Sequence, residues 1–383
     1  MKNTTMVLFM VTALAVYCLL NSYLYLKGYR CVETLREHRL AYTLVFIAAA
    51  AVFPLAKAGE AWRSSAVTDV LNVAGGLWLA FMLYGILLFL VSDIIMAALK
   101  LAGAGAGPVS AYRKWAFVAV TGASFMLIAA GVINALVPVV KRYGIAIDKP
   151  AAAESLRIAA VSDIHLGSII RERSLRRLSS MLAAEKPDLI LLLGDIVDGQ
   201  IAPVLRGDLL RHFTPPECRY GVFAVAGNHE YIGGGMQTIP YIESRGIRIL
   251  KDEVVALSCG IQLIGRIDRD AGMFYGRPRA ALKKLMAQAD TSMPVIVLDH
   301  QPSSIDEAAG NRVDLQLSGH THHGQMWPLN GITRMIYRVS RGYLKEGAFN
   351  VIVSSGYGLW GAPVRLGSRP EVLIVNVSFT TRQ

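Results

Sequence analysis

Cysteine is scarce. The 383-residue chain has four, Cys18, Cys31, Cys218 and Cys259, and no two stand in a CxxC pair. Neither a zinc knuckle nor a dithiol redox motif is therefore indicated. Whether Cys218 and Cys259 pair in an oxidising compartment is a question the sequence leaves open. Charge is scarce too, at 17% of residues, and it is unevenly spread. Residues 1–150 hold 13 Lys/Arg against 6 Asp/Glu, whereas residues 151–383 hold 26 against 22. Nucleic-acid binding needs a domain with clustered basic residues. The second part has no such excess, so no nucleic-acid partner is expected. A phosphate-cradling glycine loop is also missing, because Gly233-Gly234-Gly235 does not follow that pattern and reads as a flexible rim.

Long apolar runs, by contrast, are plentiful. Hydrophobic residues make up 53% of the chain, and its mean hydropathy is +0.41. The apolar runs are concentrated in residues 1–145, and residues 150–383 read as ordinary globular sequence. Membrane-spanning helices need roughly 20 mainly apolar residues. Four stretches suit that requirement: Thr5 to Leu26, Ala41 to Ala56, Val70 to Leu99 and Trp115 to Val140. The second is short and contains Pro54. The first is too long for the apolar part of a signal peptide and no clean cleavage site follows it, so it reads as an uncleaved helix. Asp93 falls at or near the end of the third span, an interfacial position.

Basic residues favour cytoplasmic loops. The first loop carries Lys27, Arg30, Arg36 and Arg39, and the third carries Lys100, Arg113 and Lys114. The second has only Lys57 and Arg63, and the N-terminal tail only Lys2. The chain is thus expected to be a multi-pass cell-membrane protein with residues 150–383 on the non-cytoplasmic face. Lys141 and Arg142, after the last span, pull the other way.

From Leu156 onward short β-rich runs alternate with helical patterns, as in an α/β domain. Leu156–Ser162, Leu189–Leu193, Tyr220–Ala226, Val295–Leu298 and Leu315–Ser318 read as buried strands. Each is followed at once by chemistry: Asp163-Ile164-His165, Gly194-Asp195, Gly227-Asn228-His229-Glu230, Asp299-His300 and Gly319-His320-Thr321-His322. Ligand sites in open α/β sheets lie at the carboxyl ends of strands, so five such ends argue for one convergent site. Six of the chain's eight histidines (His165, His229, His300, His320, His322, His323) fall there. His320 and His322, two apart, point the same way if extended and can reach adjacent metals. Arg171–Glu185 reads as an amphipathic helix over the sheet, and Ile247–Arg266 as a hairpin around Cys259-Gly260.

The order Asp-x-His, Gly-Asp-x-x-Asp, Gly-Asn-His-Glu, His, Gly-His-x-His resembles the calcineurin-like metallophosphoesterase family, from about Leu156 to the C-terminus. Gly319-His-Thr-His-His-Gly-Gln325 and Gly356-Tyr-Gly…Pro363-Val-Arg365…Arg369-Pro-Glu371 look like its membrane-linked bacterial branch. That branch usually has Gly where His323 stands, so His323 is an added substrate contact or a stray ligand. The resemblance implies a four-layer α/β/β/α sandwich behind a four-helix transmembrane region. It also implies that two divalent ions are bound, one by Asp163, His165 and His322 and the other by Asn228, His300 and His320, with Asp195 bridging. Mixed oxygen and nitrogen ligands suit Mn, Fe or Zn, and the absence of Cys argues against a closed structural zinc site. His229 would be the catalytic acid or transition-state stabiliser, and Arg365 a weaker substrate contact. Asp198 either orients a ligand or ends a strand, and Glu230 fixes His229 or its loop.

The expected reaction is hydrolysis of a phosphomonoester or phosphodiester. The membrane half favours a lipid-linked or bilayer-surface substrate, with the pyrophosphate of UDP-2,3-diacylglucosamine as one form. The alternative is a phosphodiesterase acting on soluble nucleotides, the helices serving only as anchor.

Overall fold

The structure is a computed structural model that describes residues 2–232, 235–276 and 278–380. Gly233 and Gly234 of the expected glycine rim lie outside the described residues. The chain divides into two compact units, residues 1–132 and 133–383.

The first unit is built on α1 (Lys2–Cys31), α2 (Arg39–Trp62), α3 (Ala66–Leu101) and α4 (Ala106–Ala135). Each is long and apolar enough to cross a membrane. Ser65 starts α3 through a reciprocal capping box with Thr68, which satisfies backbone N–H groups that the first turn leaves unpaired. The second span is longer than its apolar stretch suggested, because α2 runs through Pro54 unbroken. Glycine brings α2 and α3 close: a Cβ on Gly75 would sit 2.8 Å from the Phe53 Cα. Small residues permit this kind of packing where no water is available to drive helices together.

The fourth helix ends at Ala135, short of the expected Val140. Pro138 cannot donate to a helix, and beyond it β1 (Val139–Pro150) pairs parallel with β12 (Glu371–Thr380). Lys141 and Arg142, shortly after the end of the fourth helix, lie in β1. Lys141 Nζ lies 2.7 Å from the buried Glu371, and Arg142 pairs with Glu185.

The second unit holds two six-stranded sheets. The first runs β1, β12, β2 (Ser155–Val161), β3 (Leu189–Leu192), β4 (Val222–Ala224) and β5 (Arg248–Ile249). The second runs β10 (Gly342–Glu346), β11 (Phe349–Val353), β9 (Leu315–Ser318), β8 (Val295–Leu298), β7 (Ile261–Gly265) and β6 (Glu253–Leu257). Strand alternation sets the layers. Ile158 and Ala160 of β2 join Ile296, Leu298, Leu315 and Leu317 in a core between the sheets. Ala159 and Val161 turn the other way, onto Leu175, Leu178 and Leu182 of α5 (Glu172–Glu185). On the far side Val295 and Val297 meet Leu282 and Leu285 of α6 (Leu282–Met286), and Ile305 of α7 (Ile305–Gly310). The result is the expected order of helix, sheet, sheet, helix. Burial on both faces explains why the parallel strands read as continuous apolar runs. The expected hairpin is the antiparallel pair β6 and β7. Cys218 and Cys259 are both free.

Candidate metal centre

Five strands of the two sheets deliver polar residues to one place. Asp163 and His165 follow β2, Asp195 follows β3, Asn228 and His229 follow β4, His300 follows β8, and His320 and His322 follow β9. Straight continuation of these strands would send alternate side chains apart. The backbone instead turns left-handed at Asp163, His165, Asp195, His320 and His322, all with positive φ. For non-glycine residues this conformation is uncommon and persists only where surrounding structure enforces it. Two glycines give the turns room. A Cβ on Gly227 would lie 2.2 Å from Asp195 Oδ1, and one on Gly319 would lie 1.6 Å from Ser162 Oγ.

The seven residues expected to bind metal are brought together. His165 Nε2 is 3.0 Å from His322 Nε2, and His322 Nε2 is 3.5 Å from Asp163 Oδ1. Asp195 Oδ2 lies 3.2 Å from His300 Nε2 and 3.8 Å from His165 Nε2. His320 Nδ1 is 3.0 Å from Asn228 Oδ1. Three groups in this cluster have ligand atoms all within 4.8 Å of one another: Asp163 with His165 and His322, His165 with Asp195 and His229, and Asp195 with His300 and His320. Asp195 belongs to the last two, and His165 to the first two.

These residues fit a divalent cation. His300 Nδ1 donates to the Leu193 carbonyl at 2.7 Å. Its Nε2 therefore faces Asp195, buried and without an aligned hydrogen-bond partner. Burial works against a charge on His300, yet the Asp195 carboxylate, with Asp163 and Asp268, pushes its pKa well above the ordinary value. The carboxylates thus demand positive charge at a buried position. His320 and His322 are driven the other way. Burial and the neighbouring His300 lower His320 to about 3, and burial, His165 and Arg365 hold His322 well below its usual range. Neutral imidazole is the form that ligates metals.

Around the cluster, carboxylates act through others. Asp198 Oδ1 bonds His165 Nδ1 at 3.3 Å and orients that ring; it also lies 3.1 Å from His229 Nδ1, close enough for an ion pair but without hydrogen-bond alignment. Burial opposes a charge on His229, but the Asp198 carboxylate beside it, with the Asp195 and Glu230 charges, raises it to about 9. Glu230 fixes the loops rather than His229 itself, accepting the backbone N–H groups of Asp195, Val197 and Gly227 at 2.7–2.9 Å.

Two expectations need correction. His323 does not face the cluster: it is buried, and its Nδ1 sits 2.9 Å from Ser340 Oγ. Arg365 is fully buried, its guanidinium spent on the carbonyls of Gly356 and Ser355 and on His322 Nδ1 at 3.1 Å. Neither is placed to touch substrate. Asp299, next to His300, also turns away and pairs with Arg266 and Arg279.

A cavity of about 410 Å³ opens onto His165, Asp195, Asn228, His229, His320 and His322. Its opposite wall is apolar, formed by Leu329, Ile332 and Ile336 of α8 (Leu329–Ile336), with Tyr337 and Trp360. Sequence reasoning missed this wall. The available signal was apolar residues at positions 329, 332 and 336, one helical face just after Pro328.

Two stacked mixed sheets between helices, with a histidine–carboxylate cluster at their strand ends, define a metal-dependent hydrolase class of α/β domain. A calcineurin-like phosphoesterase family model matches residues 156–324. An uncharacterized metallophosphoesterase of Aquifex aeolicus is 35% identical over 242 residues, covering 62% of this chain and 91% of that protein. The chain belongs to the calcineurin-like metallophosphoesterase family, whose members are hydrolytic phosphoesterases that use divalent metals. A Danio rerio transmembrane protein with metallophosphoesterase domain is 30% identical over 262 residues, covering 63% of this chain and 58% of that one. The chain likewise spans 62% of the length of a Helicobacter pylori relative, an uncharacterized metallophosphoesterase 31% identical to it. Among solved structures, the NAD nucleotidase of Haemophilus influenzae aligns with a TM-score of 0.37 at 15% identity, covering 53% of this chain and 45% of that one.

Proposed function

We propose that this protein is a membrane-bound, binuclear metal-dependent phosphoesterase that hydrolyses a phosphomonoester or phosphodiester carried on a lipid. The observation that carries the reading is the cluster itself, in which Asp195 Oδ2 lies 3.2 Å from His300 Nε2 and 3.8 Å from His165 Nε2. Asp163, His165 and His322 would hold one ion, Asn228, His300 and His320 the other, and Asp195 would bridge. Mn, Fe and Zn all suit this donor set. A bound metal pair supplies a nucleophile at neutral pH and charge neutralisation for the phosphoryl oxygens.

The protein's own residues do the rest. His229 borders the cavity beside His165 and Asp195, with Asp198 Oδ1 3.1 Å from its Nδ1, and would act as a proton donor to the leaving oxygen rather than as a ligand. Leu329, Ile332, Ile336 and Trp360 would hold an acyl chain beside the phosphate, which is what favours a lipid-linked substrate such as a UDP-2,3-diacylglucosamine-type pyrophosphate.

A soluble nucleotide is the second reading, favoured by aromatic Tyr337 and Trp360 on the same wall, which offer faces for a base. Turnover of a phospholipid or lipid pyrophosphate in liposomes, compared with cyclic and linear nucleotides in solution, separates the two. Faster hydrolysis of the nucleotides by the full chain would rule out the lipid reading. Loss of all activity on chelation, restored by Mn²⁺ at two ions per chain, is expected under both. The basic loops Lys27–Arg39 and Lys100–Lys114 favour a non-cytoplasmic catalytic unit. A reporter active only in the cytoplasm, fused after Gln383, should be silent.

A further inference from the structure

The membrane unit contains a polar cavity that helix packing does not call for. About 530 Å³ opens between the C-terminal ends of α1 and α3, the start of α4 and the segment after α1. Lys27, Arg30, Arg36, Lys100 and Arg113 line it, against the one carboxylate of Asp93. That carboxylate is already committed, paired with Lys27 and accepting the Tyr23 hydroxyl at 2.8 Å. Among the described residues no ion pair holds Arg30, Arg36, Lys100 or Arg113.

The cytoplasmic preference of basic residues explains why they flank apolar helices, but not why five should converge on one void. Like charges brought together repel, and inside a cavity they are screened less than on an open surface. Such a site gains most from a compact, multiply charged anion. Guanidinium groups match phosphoryl oxygens in geometry as well as charge. The void lies at the ends of helices long enough to span a bilayer, which is the level of the headgroups. Leu26 on its wall and Ile94 beside Asp93 are exposed apolar side chains. Its floor is aromatic, with Lys27 Nζ 4.9 Å and 5.7 Å from the ring centres of Tyr23 and Phe89. Volumes of this order hold small ligands.

We propose that this cavity binds the phosphoryl headgroup of an anionic membrane lipid, its phosphate among the arginines and Lys100, its chains along the exposed faces of α1 and α3. The test uses the full chain in neutral detergent micelles, titrated with phosphatidylglycerol and, separately, phosphatidylcholine, with bound lipid counted by native mass spectrometry. The paired variant Arg30→Gln/Arg113→Gln should weaken phosphatidylglycerol binding by about tenfold or more, as expected for losing charged hydrogen bonds. Arg39→Gln/Lys114→Gln, which removes the same charge outside the cavity, should leave it unchanged. Asp93→Asn should tighten binding, because it frees Lys27 and removes the one negative charge. Thermal midpoints of all three keep a folding defect apart from a binding defect, and the opposite sign of Asp93→Asn cannot arise from unfolding. The proposal is overturned by equal losses in the two paired variants or by weaker binding in Asp93→Asn. It is equally overturned if phosphatidylcholine binds as tightly, or if inorganic phosphate displaces the lipid at equal concentration.

Discussion

In residues 1–132, outside the cavity around Asp93, polar side chains meet in small groups of few charges. Asn21 accepts from the Trp78 indole at 3.1 Å, and Tyr17 donates to the Ala50 carbonyl at 2.6 Å. In residues 133–383 they meet as a network, in which Asp195, Asp163, Asp198 and four histidines share neighbours and oppose one another's charges. The difference lies in what each polar group can lose. A pair in a helical bundle can be broken and partly replaced by other partners, whereas a buried charge cluster has none in reserve. Function therefore sits where removal is least tolerated, and the gradation is measurable.

The sharpest break would come from Asp195→Asn. If the carboxylate serves both groups, metal content should fall at both positions and activity with it. The loss should exceed the roughly 10–100-fold typical of residues one step removed from a metal. Metal analysis showing two ions still bound would dissolve the idea of a shared network. His229→Ala should keep its metals and lower kcat by roughly 10²–10⁴-fold on alkyl phosphates. The deficit should shrink with a nitrophenolate leaving group, which needs little protonation. Equal deficits on both substrates would instead mark His229 as a charge stabiliser.

Asp198→Asn should cost roughly 10–100-fold, because His165 loses the carboxylate that fixes its ring and His229 the negative charge beside it. An effect on kcat without any on metal affinity would mean it serves His229 alone. Ile332→Ala with Ile336→Ala should raise KM for a lipid substrate by about tenfold or more, since losing contact equivalent to about two methylenes at about 0.8 kcal/mol each already amounts to that factor, and leave a soluble nucleotide unaffected. The smallest effect is expected in the other unit. Asn21→Leu should cost about 0.6 kcal/mol of stability, the average for an interhelical hydrogen bond in a membrane, and leave kcat unchanged. A loss of several kcal/mol in detergent unfolding would erase the contrast between the units.

Much of the centre was legible because ligand chemistry uses residues that are rare inside proteins. A run of Asp, Asn or His within a few residues of an apolar stretch such as Leu189–Leu193 has no packing reason to be there, and five such junctions point one way. Arg365 was misread because arginine is seldom buried, and nothing local tells that it serves two carbonyls and His322. His323 was misread because adjacent residues in a left-handed turn need not share a direction. The apolar wall on α8 escaped notice since Ile332 and Ile336 look the same in sequence whether they face a core or a cavity. The boundary near residue 135 was blurred for a related reason: Val139 and Val140 suit a membrane helix as well as they suit β1, and the partner that decides between them, β12, is remote in sequence.

The position of β12 has a consequence for how the protein is made. It lies between β1 and β2, parallel to one and antiparallel to the other, with Val372 to Val375 fully buried. Both neighbours leave the ribosome long before it, by on the order of ten seconds or more at the usual pace of elongation. Through that interval β1 and β2 present open backbone edges with nothing to pair with, the arrangement that invites strands from other molecules. Nascent chains paused before Glu371 should therefore be the species that chaperones hold, with release following once the intervening strand is threaded into its slot.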